Sequence, residues 1–261
     1  MHRIGLAVLL IVGMAVGASP QASSAVAISM SMDGQVKVTI GTFFFAQGQV
    51  LALEIARGGP CPCLCDALLV TGFQVLDAEG TVVYVDETVS YPASVEEWIG
   101  RWDLVSGDGE DVPAGKYTAL VVTSVGEFRA ELQVVAAGAA GGLHASAQAT
   151  VCGIGLGVYR LVDETDEAAT VTLRVGEHLM IALPGNPTTG YGWEVEGEPA
   201  FLTCIEGVAY RSESDLIGAG GTFYFRYEAT ATGEGELSFA YRRPWEVLPP
   251  EQTFSLTVIV R

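Results

Sequence analysis

Apolar and polar residues alternate in short runs along most of this 261-residue chain, and no stretch of useful length keeps a helical period. A period of two puts successive side chains on opposite faces of a strand, so such runs are half-buried strands. Val36-Lys37-Val38-Thr39-Ile40, Val50-Leu51-Ala52-Leu53-Glu54-Ile55 and Thr170-Val171-Thr172-Leu173-Arg174-Val175 show the pattern. Turn formers stand between them. Asp77-Ala78-Glu79-Gly80 parts Phe73–Leu76 from Thr81–Tyr84, and Ser124-Val125-Gly126 parts Lys116–Thr123 from Glu127–Val134. Further on, Glu196-Gly197-Glu198-Pro199 and Thr232-Gly233-Glu234-Gly235 do the same work. Strands at this spacing, joined by tight turns, predict an all-β chain of antiparallel sandwiches with about seven strands in the first.

The chain begins with His2 and Arg3, continues apolar from Ile4 to Val16, and then runs through small residues to Ser23-Ser24-Ala25. A positive start, a short apolar core and a small-x-small end make a secretory signal, expected to be cleaved after Ala25. The run is shorter than the roughly 20 residues of a membrane span. Near the middle, Ala136-Ala137-Gly138-Ala139-Ala140-Gly141-Gly142 continues through Leu143 to Thr150 without periodicity. Small residues of this kind bury no core and read as a flexible linker. The expected organisation is a signal peptide at 1–25, a β-sandwich at 26–136, a linker at 137–150 and a second β-sandwich at 151–261.

Charge excludes some partners. Thirteen Lys+Arg stand against 31 Asp+Glu, a net charge of −18, and loss of Arg3 with the leader makes the mature chain more negative still. Such a surface repels phosphate backbones and anionic bilayers, so neither nucleic acid nor a membrane surface is an expected partner. Five cysteines suit an oxidising, exported compartment. Cys61, Cys63 and Cys65 crowd together, with Cys152 and Cys204 apart. The trio suits a loop staple such as Cys61 to Cys65 better than a zinc site, which wants a second, distant ligand pair. Connectivity and oligomeric state stay open, and no metal or cofactor is expected.

Three loops in the last third carry the functional signal: Asn186-Pro187-Thr188-Thr189-Gly190-Tyr191, Gly218-Ala219-Gly220-Gly221 and Arg243-Pro244-Trp245. Pro187 fixes its own φ and pushes Asn186 towards an extended shape. Thr188 and Thr189 are stiff at χ1, Gly190 permits positive φ, and Tyr191 offers an aromatic anchor. The glycine-rich loop leaves backbone bare of side chains. Arg243 and Trp245 are types enriched at binding hot spots. One strand out and one strand back separate each loop from the next, so all three should emerge at one end of a sandwich.

Together, in this order and without substitution, the three motifs resemble those of the chagasin family of cysteine-protease inhibitors, over about residues 156–261. The flanking Gly176-Glu177, Leu216-Ile217 and Tyr241 fit the resemblance as well. It implies an immunoglobulin-like β-sandwich, not an enzyme, that inhibits papain-like cysteine proteases reversibly by filling the active-site cleft with a three-loop wedge. On the family pattern Thr188 lies nearest the catalytic thiol, Gly218–Gly221 pair along one side, and Arg243 and Trp245 pack on the other. The first stretch, from Trp102 through Asp108-Gly109 to Pro113-Ala114-Gly115-Lys116-Tyr117, resembles bacterial immunoglobulin-like modules. Ser212-Glu213-Ser214-Asp215 matches no family text.

Two rival readings stand beside this one. An enzyme would have to work with His144, in the linker, and His178, in a strand, and no nucleophile-elbow or zinc-protease motif occurs. An extracellular adhesion or assembly module would also suit tandem sandwiches, because fold alone does not decide function.

Overall fold

The computed structural model describes residues 26–30, 36–57, 69–89, 93–94, 97–137, 148–151, 154–212, 216 and 218–261. The expected signal peptide, His144, Cys61, Cys63, Cys65, Cys152, Glu213–Asp215 and most of the expected linker lie outside these. The described residues are strands and turns, with three single 3-10 turns as the only helical pieces among them. No helix among them is long and apolar enough to cross a membrane. The chain divides into two compact units, Met1–Val158 and Tyr159–Arg261.

The first unit holds β1 (Val26–Met30), β2 (Val36–Ala46), β3 (Val50–Arg57), β4 (Leu69–Asp77), β5 (Val82–Val85), β6 (Ala93–Ser94), β7 (Glu97–Trp102), β8 (Gly115–Thr123), β9 (Gly126–Val135) and β10 (Gln148–Val151). One sheet runs β1-β2-β9-β8-β4-β5, with β6 also on β4, and β3 pairs antiparallel with β7. Alternation sets the core: Val38, Phe43, Leu51, Leu53, Phe73, Trp102 and Phe128 all point inward. Both expected hairpins form. In the first, the Asp77 carboxylate accepts from the backbone N–H of Glu79 and Thr81. The Tyr117 hydroxyl donates to the Pro113 carbonyl at 2.7 Å, the corner bond that fixes strand entry in immunoglobulin-type sandwiches.

The next strand, β11 (Ile154–Asp163), pairs with β10 at its start and crosses the division into the second unit. There follow β12 (Thr170–Leu173), β13 (His178–Gly185), β14 (Gly192–Gly197), β15 (Leu202–Ser212), β16 (Gly221–Ala229), β17 (Gly233–Arg242) and β18 (Gln252–Val260). One sheet carries the order β15-β16-β13-β11, the other β12-β18-β17-β14. Leu179, Ile181, Leu183 and Phe225 of the first sheet share one core with Leu237, Phe239, Leu256 and Val258 of the second.

Antiparallel pairing predominates among the described strands, as expected, but β2 with β9, β11 with β13, and β12 with β18 are parallel. Each joins strands that no tight turn connects. A short hairpin forces opposite directions, whereas a strand arriving by a longer connection can run either way. Residue alternation reveals which face is buried and is silent about direction.

Candidate functional site

Connectivity places the three loops. Loop 1 (residues 186–191) leaves β13 in one sheet and enters β14 in the other, so it crosses between the layers. Loop 2 joins β15 to β16 within the first sheet, and loop 3 joins β17 to β18 within the second. The crossing loop therefore stands between one hairpin tip from each sheet.

Loop 1 is a capped single turn. Pro187–Thr189 form a 3-10 turn with Asn186 as its extended N-cap (φ −140°, ψ 96°) and Gly190 closing it at φ 84°. Pro187 supplies the fixed φ of a first helical position, and the glycine takes a left-handed conformation that a side chain would strain. The Asn186 Oδ1 accepts from the backbone N–H of Thr188 at 3.1 Å and from its hydroxyl at 2.6 Å. The Thr189 hydroxyl donates to the Asn186 carbonyl at 2.6 Å. Pro187, Thr188 and Thr189 are exposed.

Both neighbours are bonded to this turn. The Asn186 Nδ2 donates to the Gly218 carbonyl of loop 2 at 2.9 Å. The backbone N–H of Asn186 donates to the Tyr241 hydroxyl at 2.7 Å, on the strand that leads into loop 3. From loop 3 itself, the Arg243 Nε donates to the Thr189 carbonyl at 3.1 Å. The Trp245 ring lies against Gly190, where a Cβ would sit 2.7 Å from its outer edge. All thirteen motif residues thus stand in one braced cluster, with loop 1 in the middle.

Arg243 and Tyr191 pack on each other, both half-buried at the rim. The Arg243 guanidinium sits 4.5 Å from the Tyr191 ring centroid, and its other arm pairs with Glu246 at 2.8 Å. That hydrogen bond holds the guanidinium pKa above its already high ordinary value. Tyr191 also stacks on Tyr241 at 5.3 Å, so its ring lies between a cation and an aromatic. Trp193 supports the pair from beneath, 5.2 Å from Tyr241, with its indole N–H on the Pro184 carbonyl. Trp245 touches Gly190 with its ring edge yet is 68 % exposed.

The glycines of loop 2 serve different ends. Gly218 has φ 85°, and at Gly221 a Cβ would meet the Arg211 carbonyl oxygen of the paired strand β15. At Gly220 the nearest atom to a Cβ is the Gly185 carbonyl oxygen at 3.7 Å, an ordinary contact. The backbone N–H of Ala219 closes the turn onto the Leu216 carbonyl.

Motif reading alone missed the supports: Trp193, the Tyr241 hydroxyl and Glu246. Tyr241 had a signal, standing two residues before Arg243, but nothing in the sequence shows that its hydroxyl receives Asn186. His178 begins β13, half-buried with its ring 5.6 Å from Tyr159, at the far end of that strand from loop 1. Cys204 lies exposed on β15.

Between the roots of loops 1 and 2 lies an open depression of about 270 Å³, lined by Gly185, Gly220 and Tyr241 among others. Ligand-enclosing sites run from roughly 300 to 1,000 Å³. Two packed sheets that hold out three cross-braced loops around so shallow a depression define a binding module, made to dock on a partner.

Sequence comparison gives the module its family. The profile of the Chagasin family peptidase inhibitor I42 matches residues 172–258. Amoebiasin-1 of Entamoeba histolytica is 38% identical over 98 residues, covering 38% of this chain and 96% of that protein. Chagasin of Trypanosoma cruzi is 38% identical over 91 residues, covering 32% of this chain and 81% of that protein. Among solved structures, a cysteine protease inhibitor from Entamoeba histolytica, EhICP2, aligns at TM-score 0.36 and 22% identity, over 39% of this chain and 94% of that one. The chain belongs to the chagasin family of peptidase inhibitors. The family match falls on the second unit.

Proposed function

We propose that the second unit inhibits papain-like cysteine proteases, reversibly and in competition with substrate, with loops 1, 2 and 3 acting as one wedge in the active-site cleft. The observation that carries this reading is the bracing: Asn186 bonded to Gly218, and Arg243 bonded to Thr189. Tips already ordered lose little conformational freedom on contact, so more of the contact energy remains as affinity. The exposed turn Pro187–Thr189 enters deepest, with Thr188 nearest the catalytic thiol. A loop held from both sides fills the cleft without presenting a peptide in attack geometry. Loop 2 lies along one wall with Gly220 bare for close backbone approach, and Trp245 packs on the opposite wall.

The wider organisation follows the sequence. A leader at 1–25 directs export, so the mature protein is secreted or periplasmic. Residues 26–136 form an immunoglobulin-like sandwich of separate role, the link to the inhibitor falls in the stretch before β10, and the inhibitor is the second unit, which holds the family match. The strongly acidic composition suits an exterior compartment.

Titrating papain with the mature chain tests the central statement. Stoichiometric loss of activity that recovers on dilution and yields to excess substrate is expected. Trp245→Ala should cost about 2 kcal/mol or more, roughly 30-fold in Ki. No effect on papain or other papain-like enzymes would favour an adhesion module instead.

A further inference from the structure

Loop 3 does not end at its motif. Trp245 is followed by Glu246-Val247-Leu248-Pro249-Pro250-Glu251 before β18 begins. Val247 is fully exposed at 103 % and Leu248 is 65 % exposed. With Trp245 they make three of the nine exposed large hydrophobics among the described residues, packed into four consecutive positions. Scattered exposed aliphatics are ordinary, whereas a local cluster marks a contact surface.

This tip is also held in place. The backbone N–H of Glu246 turns back onto the Arg243 carbonyl, and that of Glu251 closes the loop onto the Tyr241 carbonyl. The Arg243–Glu246 ion pair fixes the near side and neutralises the one charge next to Val247. On the far side the chain bends at Leu248, and Pro249 and Pro250 that follow have fixed φ. Two largely exposed aliphatic side chains are thus presented on a segment tied at both ends. Three residues of chain reach at most about 10 Å, which keeps Val247 and Leu248 close to Trp245.

We infer that Val247 and Leu248 form a second apolar contact of loop 3, which packs on an apolar wall bordering the cleft of the target protease and helps set which papain-like enzymes are bound. The inference rests on the wedge reading above. It adds a specificity element beyond the Arg243-Pro244-Trp245 motif. A target with an aliphatic or aromatic cleft border gains from this tip, and one with a charged border is penalised, because the two side chains cannot satisfy a desolvated charge.

The test compares the mature chain with its Val247→Ser/Leu248→Ser double variant. Ki and dissociation rates are measured on papain and on a second papain-like protease whose cleft border is more polar. Because both side chains are exposed, thermal stability should not fall. The expected result is a Ki at least tenfold higher on the enzyme with the more apolar border, carried by faster dissociation, and a smaller change on the other. Wild-type inhibition with a double variant within twofold on both enzymes overturns the contact and leaves the wedge standing. Absence of inhibition by the wild type overturns both. If sedimentation shows that the double variant abolishes a dimer while Ki stays unchanged, the tip faces a second copy of this chain and the inference falls.

Discussion

Asn186→Ala removes the one side chain that ties loop 1 to itself and to loop 2. Three hydrogen bonds go: from the Thr188 backbone N–H at 3.1 Å, from the Thr188 hydroxyl at 2.6 Å, and to the Gly218 carbonyl at 2.9 Å. The amide orientation is set by these partners, since two donors face Oδ1 and a carbonyl faces Nδ2. A net bond contributes about 0.5–1.5 kcal/mol, and water at this exposed rim replaces part of each. The sum is therefore about 2 kcal/mol, in line with an N-cap loss. The core beneath is untouched, and part of the loss falls on binding as the cost of ordering two loops on contact. Ki on papain should rise by up to about 30-fold, and since the same bonds hold the free loops, Tm should fall by several degrees. Asn186→Asp separates the two roles: its oxygen still caps Thr188, but it has no donor for Gly218. That variant should lose about tenfold, carried by the bridge alone. An Asn186→Ala protein that inhibits within twofold of wild type would refute the bracing argument.

Gly190→Ala forces a side chain into a left-handed position and against the Trp245 ring. It should cost about 1–2 kcal/mol from backbone strain and more in Ki than in stability, seen by comparing inhibition with thermal melting. Gly220→Val has room in the free unit, so its Tm should match wild type while inhibition falls sharply; full inhibition would show that no partner backbone approaches there. Burial raises the Glu177 carboxyl to about 7, against a weaker opposing pull from the Arg174 backbone N–H and nearby arginines. A raised carboxyl keeps its proton in the folded state, so stability should fall as pH climbs from about 4.5 to 7 and level off above, by up to roughly 3 kcal/mol. Denaturant unfolding across that range should show this slope in the wild type and not in Glu177→Gln.

Much of this protein is local and therefore legible in the chain. Alternation at Val36–Ile40 or Thr170–Val175 names the buried face because a strand's side chains alternate whatever it packs on. Pro187 and Gly190 announce a tight turn because their backbone limits are intrinsic. Counting strands between motifs was enough to bring the three loops to one end. Which loop stands in the middle was not countable, since it depends on loop 1 crossing between sheets while its neighbours stay within theirs. Nor could the chain show that Arg243 lies over the Tyr191 ring, or that β12 runs parallel to β18. The bonds that brace the site join residues 32, 54 and 55 positions apart. Separations of that size are closed by sheet packing alone, and no periodicity along the sequence records them.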